Sequence, residues 1–390
     1  LRFFFAPRNL KENMNMETGG DAVQRLKARA EELGFDAVRI TTAAAPGHSE
    51  HARSWLQAGM HGEMSYLLNR AALRAAPLDH ESLLAGTRSV VMVALSYHPS
   101  DRTTAIPESA SGQGNAEPSE PHLRSFSPRG VVARYARGED YHQIFREKLK
   151  AFARWITETW PGEKARGMAD SGPVRERELA ARAGIGWQGK HTNLISLDLG
   201  NWFFLGTLLT TLPLPPDAPV ENHCGTCTRC LTACPTGALV APMTLDSRRC
   251  ISYLTIELKG AIPLELRPLM GARIFGCDDC LAACPWNERA QAGRETRLAA
   301  LDEDRGSPDL LQWLALTETD ETFQGKFTGT ALLRPGRIGL RRNICVALGN
   351  VGRDESIPAL TEVIQTDPSD LVREHADWAV KEIRTRQDLR

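Results

Sequence analysis

The chain has 390 residues, 42% hydrophobic and 24% charged, a balance that excludes a wholly disordered, fibrous or coiled-coil protein and leaves room for two or three cores. Lys and Arg number 47 against 48 Asp and Glu, so no global positive field advertises a nucleic-acid partner. The anomaly is local, because eight of the nine cysteines fall between residues 224 and 284.

The N-terminal stretch Leu1–Ala6 is mostly apolar but contains Arg2 and runs into Pro7, so it lacks the sustained apolar core of an export signal. No segment reaches the roughly 18 to 20 consecutive apolar residues of a membrane span. The expectation is a cytoplasmic protein that avoids membranes, with residues 1–19 as a tail and Met14 or Met16 as alternative starts. Ala22, Leu26, Ala30 and Leu33 then share one face of a helix that ends at Gly34, and Phe35–Ile40 reads as a short strand. The β-branched run Ser89–Leu95 suits a buried strand whose end, at Ser96 and Tyr97, is free to carry a functional residue. From Pro99 to about Arg129 the chain turns to Pro, Ser, Gly and charge and predicts a long exposed loop.

Helical periodicity returns over Tyr141–Trp160, where Ile144, Leu149, Phe152 and Ile156 share a face and Asp140 stands in the N-cap position. Ala180–Ala183 predicts another helix, Gly184–Gly189 a turn, and Trp202–Leu212 strand or compact core. The spacing G-x-G-x-x-G at Gly184, Gly186 and Gly189 follows a helix, where a dinucleotide fingerprint requires a strand. Beyond Pro213–Pro219 comes the cysteine-rich stretch. Further on, Leu310–Leu316 reads as a helix with acidic margins. Leu340–Leu348 superposes on Val372–Val380 with a 32-residue shift, which suggests stacked helical pairs. Cys345 inside that repeat reads as a buried thiol.

The first cysteine run, Cys224, Cys227, Cys230 and Cys234 followed by Pro235, has the spacing C-x2-C-x2-C-x3-C-P. Three thiolates two residues apart turn around one face of an iron–sulfur cube, and the fourth serves a neighbouring cube. Cys277, Cys280 and Cys284 before Pro285 form the shortened counterpart, and Cys250 supplies an eighth ligand. The ferredoxin-like assignment groups Cys224, Cys227, Cys230 and Cys284 around one 4Fe-4S cluster, and Cys234, Cys250, Cys277 and Cys280 around another. Two structural zinc sites are the alternative for the same donors.

The run Tyr135–His142, the run Asp170–Arg177, the run Arg182–Ile195, both cysteine runs and Cys250–Glu257 together resemble the epoxyqueuosine reductase family, cobalamin-dependent iron–sulfur enzymes of queuosine biosynthesis, over roughly residues 20–385. The resemblance implies a multidomain fold of mixed α+β and α/β character. Residues 20–218 would form a cobalamin-binding catalytic domain, 219–300 a ferredoxin-like two-cluster module, and 301–390 a C-terminal HEAT-like region that binds tRNA. It implies removal of the epoxide oxygen from epoxyqueuosine in tRNA by two electrons and two protons, with electrons passing through two 4Fe-4S clusters to cobalamin. Asp140 would be the proton donor, and burial beside the corrin would keep it protonated at neutral pH. Arg74, Tyr97, Asp140, Asp170, Ser171, Lys190, Thr192, Ser252, Tyr253 and Thr255 would line the cofactor pocket. His142 is expected as a helix-start or pocket residue rather than a cobalt ligand. Arg337, Arg341, Arg342 and Arg373 are candidate phosphate contacts. The expected partners are epoxyqueuosine-containing tRNA and an unidentified electron donor, for a monomeric enzyme. A corrinoid-dependent reductive dehalogenase and a two-cluster electron-transfer protein are the competing readings.

Overall fold

A computed structural model describes residues 10–98 and 127–388. Most of the expected loop after Pro99 lies outside the described residues. Four strands, β1 (Ala37–Thr42), β2 (Ser89–Ser96), β3 (Ala165–Met168) and β4 (Phe203–Thr210), form one sheet in the order β1-β2-β4-β3, with every pairing antiparallel.

All eight residues of β2 are buried. The two-residue strand period sends Val91, Val93 and Leu95 into a core with Leu26, Ala30, Phe145 and Phe152. It sends Val90, Met92 and Ala94 to the other face, against Leu78, Leu179, Ala180 and Ala183. Helical cover on both faces lets an antiparallel strand be apolar throughout, a pattern more usual in parallel sheets. The cover comes from the helices Leu10–Glu32 and Tyr141–Thr159 on one side and Glu176–Ala183 on the other. The first of these begins at Leu10 rather than near residue 20. At the end of Glu176–Ala183, Gly184 adopts φ 85°, a left-handed cap that suits glycine.

The cysteine-rich stretch folds as short elements strapped to this core. Arg273–Phe275 pairs in parallel with Val131–Val132, just upstream of Asp140. The helices Leu310–Leu316, Asp320–Phe327, Gly336–Val351, Ile357–Thr366 and Asp370–Asp388 follow, and their apolar faces share a core with Val132, Ala136, Ile274 and Phe275. Ala347 and Ala379, the residues the 32-residue shift superposes, are both fully buried. At Gly349 a Cβ would stand 2.5 Å from the Trp378 ring and 2.9 Å from the Ala379 Cα, so only glycine allows the last long helix to approach so closely.

Two of the candidate phosphate contacts are corrected here. Arg341 is buried and paired with Asp367 at 2.6 Å. Arg342 is fully buried and donates to the carbonyl oxygens of Leu254 (2.7 Å), Leu258 (2.9 Å) and Gly260 (2.6 Å). A guanidinium offers five donors in a fixed fork, and here the fork is spent on backbone carbonyls and on the Asn343 side chain. Arg337 and Arg373 are likewise engaged, with Asp320 and Asp370. Among the described residues no helix is long and apolar enough to cross a membrane.

Candidate active site and cluster ligands

The thiols fall into two sets. Cys284 is crowded by Cys224, Cys230 and Cys227, whereas Cys280 is crowded chiefly by Cys250 and Cys234, and Cys277 by Cys250. Burial, reinforced by the neighbouring thiols, pushes Cys284 up to about 11 and Cys280 further. Such groups become thiolates together only when cationic metal sits among them. Among the described residues no three His, Cys, Asp or Glu draw in around a single ion. Backbone N–H groups already point at the sulfurs: Ala238 N donates to Cys234 Sγ at 3.2 Å, and the start of the helix Ile251–Ile256 presents Ser252 N and Tyr253 N to Cys250. Hydrogen bonds of this kind tune cluster potentials.

Asp140 caps the helix Tyr141–Thr159 and accepts from His142 N at 3.0 Å. The same Oδ1 lies 2.7 Å from His142 Nδ1, and His142 Nε2 lies 3.3 Å from Asp170 Oδ2. The Tyr141 hydroxyl donates to that Asp170 oxygen at 2.9 Å, and its ring is stacked between His142 and Phe204, 4.0 Å from each. Asp170 has φ 54°, a left-handed conformation uncommon outside glycine, and its N–H faces both oxygens of Glu176 at 3.1 and 3.2 Å.

The electrostatics of this group follow from its hydrogen bonds. Burial alone would raise Asp140, but the hydrogen bonds from His142 outweigh it and leave the carboxyl below its ordinary value. Burial would lower His142, and its bonds to Asp140 and Asp170 overcome that and lift it to about 9. At neutral pH the proton therefore rests on the ring. Glu176, pushed up by burial and by Asp170 to about 8, is a second group poised near neutrality.

An aromatic wall joins this group to the second thiol set. Tyr97 packs on Phe204 at 4.7 Å, and Tyr135 lies 6.2 Å from Phe204, 6.4 Å from Tyr141 and 6.0 Å from Phe275. Burial, then Asp278, raises the phenols of both Tyr97 and Tyr135. Asp278 stands between Cys277 and Cys280 and accepts from Arg134 N at 2.7 Å.

The remaining predicted contacts divide. Arg74 donates to Val174 O at 3.4 Å, and its Nε is buried without a partner. Ser171 is exposed beside Asp170. Thr192 has φ 72°, and its carbonyl accepts from Arg177 at 2.9 Å. Lys190 reaches instead to the first cysteine loop, donating to Gly225 O (2.7 Å) and Cys227 O (2.8 Å). Ser252 bonds the Cys250 thiol. The Tyr253 hydroxyl accepts from Glu63 N at 2.8 Å under Gly62. Thr255 is fully buried, donating to Ile251 O at 2.7 Å and accepting from Gly276 N at 2.9 Å. Tyr253 and Thr255 thus brace the helix that carries Cys250. Tyr135, Tyr141, Glu176 and Asp278 were not among the predicted site residues, and His142 was expected only as a helix-start or pocket residue. The Asp-x-His spacing from Asp140 to His142 was the one available signal.

The site suits a large amide-bearing ring. The Asp170 side chain is 64% exposed and that of Asp140 33%, so both carboxyls are open to a bound group. Aromatic faces, an orphan Arg74 donor and two strained non-glycine turns line the same region. Fold and site together define a redox enzyme whose two-cluster iron–sulfur module faces an acid-bearing cofactor cleft. A family model described as a 4Fe-4S double cluster binding domain matches residues 223–287, and one described as "Epoxyqueuosine reductase QueG, DUF1730" matches residues 78–171. The epoxyqueuosine reductase of Burkholderia pseudomallei is 41% identical, covering 93% of this chain and 92% of the relative, and that of Escherichia coli is 42% identical, covering 92% and 88%. A crystal structure of epoxyqueuosine reductase with an epoxyqueuosine-modified tRNA-Tyr stem loop superposes with a TM-score of 0.80 at 30% identity, covering 93% of this chain and 90% of that one. The Bacillus subtilis enzyme, solved with its catalytic aspartate loop swung out of the active site, gives 0.79 at 31%, covering 93% and 91%. The chain belongs to the epoxyqueuosine reductase family. It is an oxidoreductase with two 4Fe-4S clusters and cobalamin as cofactors, which sets aside zinc sites and a bare electron carrier.

Proposed function

We propose that the chain reduces epoxyqueuosine to queuosine in tRNA, with Asp140 delivering a proton to the departing epoxide oxygen. Cobalamin, when bound, would supply low-valent cobalt as the reductant, with the two clusters as its source of electrons. The observation that carries the reading is the position of Asp140, at a helix start, partly exposed, and joined through Tyr141, Phe204 and Tyr97 to the wall beside the second thiol set. Two electrons and two protons convert the epoxide to the alkene and water. Asp140 passes a proton to the oxygen as it leaves carbon, so no free alkoxide has to form.

Arg74, Tyr97, Asp170, Ser171 and Thr192 would hold the corrin and its amides, with Ser252 at the edge nearest Cys250. Lys190, Tyr253 and Thr255 serve that pocket indirectly, by fixing the cluster loops. Residues 20–218 would be the catalytic domain, 219–300 the cluster module and 301–390 a HEAT-like region offering a surface to tRNA, in a monomeric cytoplasmic enzyme fed by an external reductant. The test is an anaerobic reaction of cluster- and cobalamin-loaded protein with a reductant and epoxyqueuosine tRNA, read by nucleoside mass. Loss of one oxygen from that nucleoside is expected. No conversion at full cofactor occupancy would overturn the reaction.

A further inference from the structure

We propose that His142 acts through Asp140: its imidazolium orients the Asp140 carboxyl and resupplies the proton that Asp140 hands to the epoxide oxygen, while Asp170 holds the far ring nitrogen. The inference rests on the reading of Asp140 as proton donor and assigns the positioning residue behind it.

Geometry carries the argument. Both ring nitrogens face carboxylate oxygens, Nδ1 toward Asp140 at 2.7 Å and Nε2 toward Asp170 at 3.3 Å. A neutral imidazole has one donor and one acceptor nitrogen, so either tautomer would set a lone pair against a carboxylate. Only the imidazolium donates to both. The ring is held in this plane, because its own backbone N–H bonds the same Asp140 oxygen and the Tyr141 ring stacks on it at 4.0 Å. Exposure rises along the series, from 33% for the Asp140 side chain through 37% for His142 to 64% for Asp170, so water reaches the outer end of the chain.

The charged groups around the ring favour its cation. Asp140, the cap of its own helix, and Asp170, from the segment after β3, are the charges that bear on the ring; Arg146 acts on Asp140, and Glu176 and Arg177 lie behind Asp170. Arg334 acts on Asp170 from the C-terminal region, and the Tyr135 phenol is kept neutral by burial. The elevated value of His142, about 9, agrees with this balance.

The proton count closes. In the resting pair Asp140 is the carboxylate and the ring the imidazolium, so as the oxygen leaves carbon the Nδ1 proton passes to Asp140 and from Asp140 on to the oxygen, the neutral ring keeps its Nε2–H toward Asp170, and water reprotonates Nδ1 for the second transfer. The electrons are those of the proposed reduction.

The experiment compares wild type, His142→Gln and Asp170→Asn as holoenzymes in anaerobic single turnovers from pH 6 to 9.5, alongside 13C NMR titration of Cε1-labelled histidine in oxidised holoenzyme. Wild-type rates should stay level until near pH 9. His142→Gln should be slower by about 10²-fold at pH 8, the usual worth of an acid–base group, and fall about tenfold per pH unit with cofactor spectra and KM unchanged. The resonance missing from His142→Gln should titrate near 9 in wild type and at least one unit lower in Asp170→Asn. A His142→Gln to wild-type ratio constant with pH, or a wild-type resonance titrating near the ordinary histidine value, would overturn the assignment. The NMR arm decides on wild type even if a variant fails to fold. Normal turnover by Asp140→Asn would instead remove the donor reading itself.

Discussion

The catalytic cleft and the C-terminal helices use the same side chains in opposite ways. In the cleft Asp140, His142 and Asp170 are each at least one-third exposed, share a proton and bond mainly to one another. Among the C-terminal helices Arg341, Asp367, Arg342 and Asn343 are almost wholly buried, and their bonding groups are spent on fixed partners. A buried, saturated charge specifies structure, because its removal strands a partner. A partly exposed charge with one movable proton can do chemistry, because both protonation states stay accessible.

Substitutions in the two regions should therefore separate rate from stability. The largest effect is expected from Asp140→Asn. Single-turnover deoxygenation should fall by about 10²- to 10⁴-fold, the worth of a positioned acid. Unfolding midpoint and iron content should hardly move, since asparagine caps a helix as well as aspartate. Arg341→Met should do the reverse, costing about 3 to 5 kcal/mol in denaturant titration because Asp367 is left buried and unpaired, with the rate per folded molecule retained. Gly349→Ala, which drives a methyl into Trp378 and Ala379, should cost about 1 to 3 kcal/mol by the same measurement.

The smallest effect is a pH dependence of stability. His142 is raised, so its stabilisation is full below its ordinary value of 6.5 and lost as pH rises through about 9. Asp140 is lowered, so its share is present above its ordinary value of 3.8 and lost as pH falls through its lower folded value. The melting-temperature difference between wild type and His142→Gln should thus be widest between 3.8 and 6.5 and fade toward pH 9. A difference that grows above pH 7 would break the contrast between the regions.

What could be read in sequence was whatever is coded by short spacing. The cysteine runs, the cap at Asp140, the apolar run of β2 and the helix Tyr141–Thr159 all depend on neighbours within a few residues. The hydrogen bond from His142 to Asp170 spans 28 residues and needs a left-handed backbone at Asp170, which no local pattern announces. Arg341 and Arg342 look like a surface pair in sequence, and only packing shows them to be interior. Lys190 sits in a motif of the catalytic core, yet its ammonium serves carbonyls 35 and 37 residues further on. The lowering at Asp140 comes from its hydrogen bonds with His142, which act against burial and depend on a side-chain contact that the sequence does not state.

The grip of Arg342 and Asn343 has a consequence for biosynthesis. These two side chains fix the carbonyls of Leu254, Thr255, Leu258, Gly260 and Ile274, the loops that present Cys250, Cys277 and Cys280. During translation those cysteines leave the ribosome before the residues that shape their loops. Iron capture at this set is therefore expected only once Arg342 and Asn343 have emerged and folded, whereas Cys224, Cys227 and Cys230 await chiefly Cys284. Iron content of ribosome-stalled chains ending before Gly336, compared with full-length protein, would reveal that order of loading.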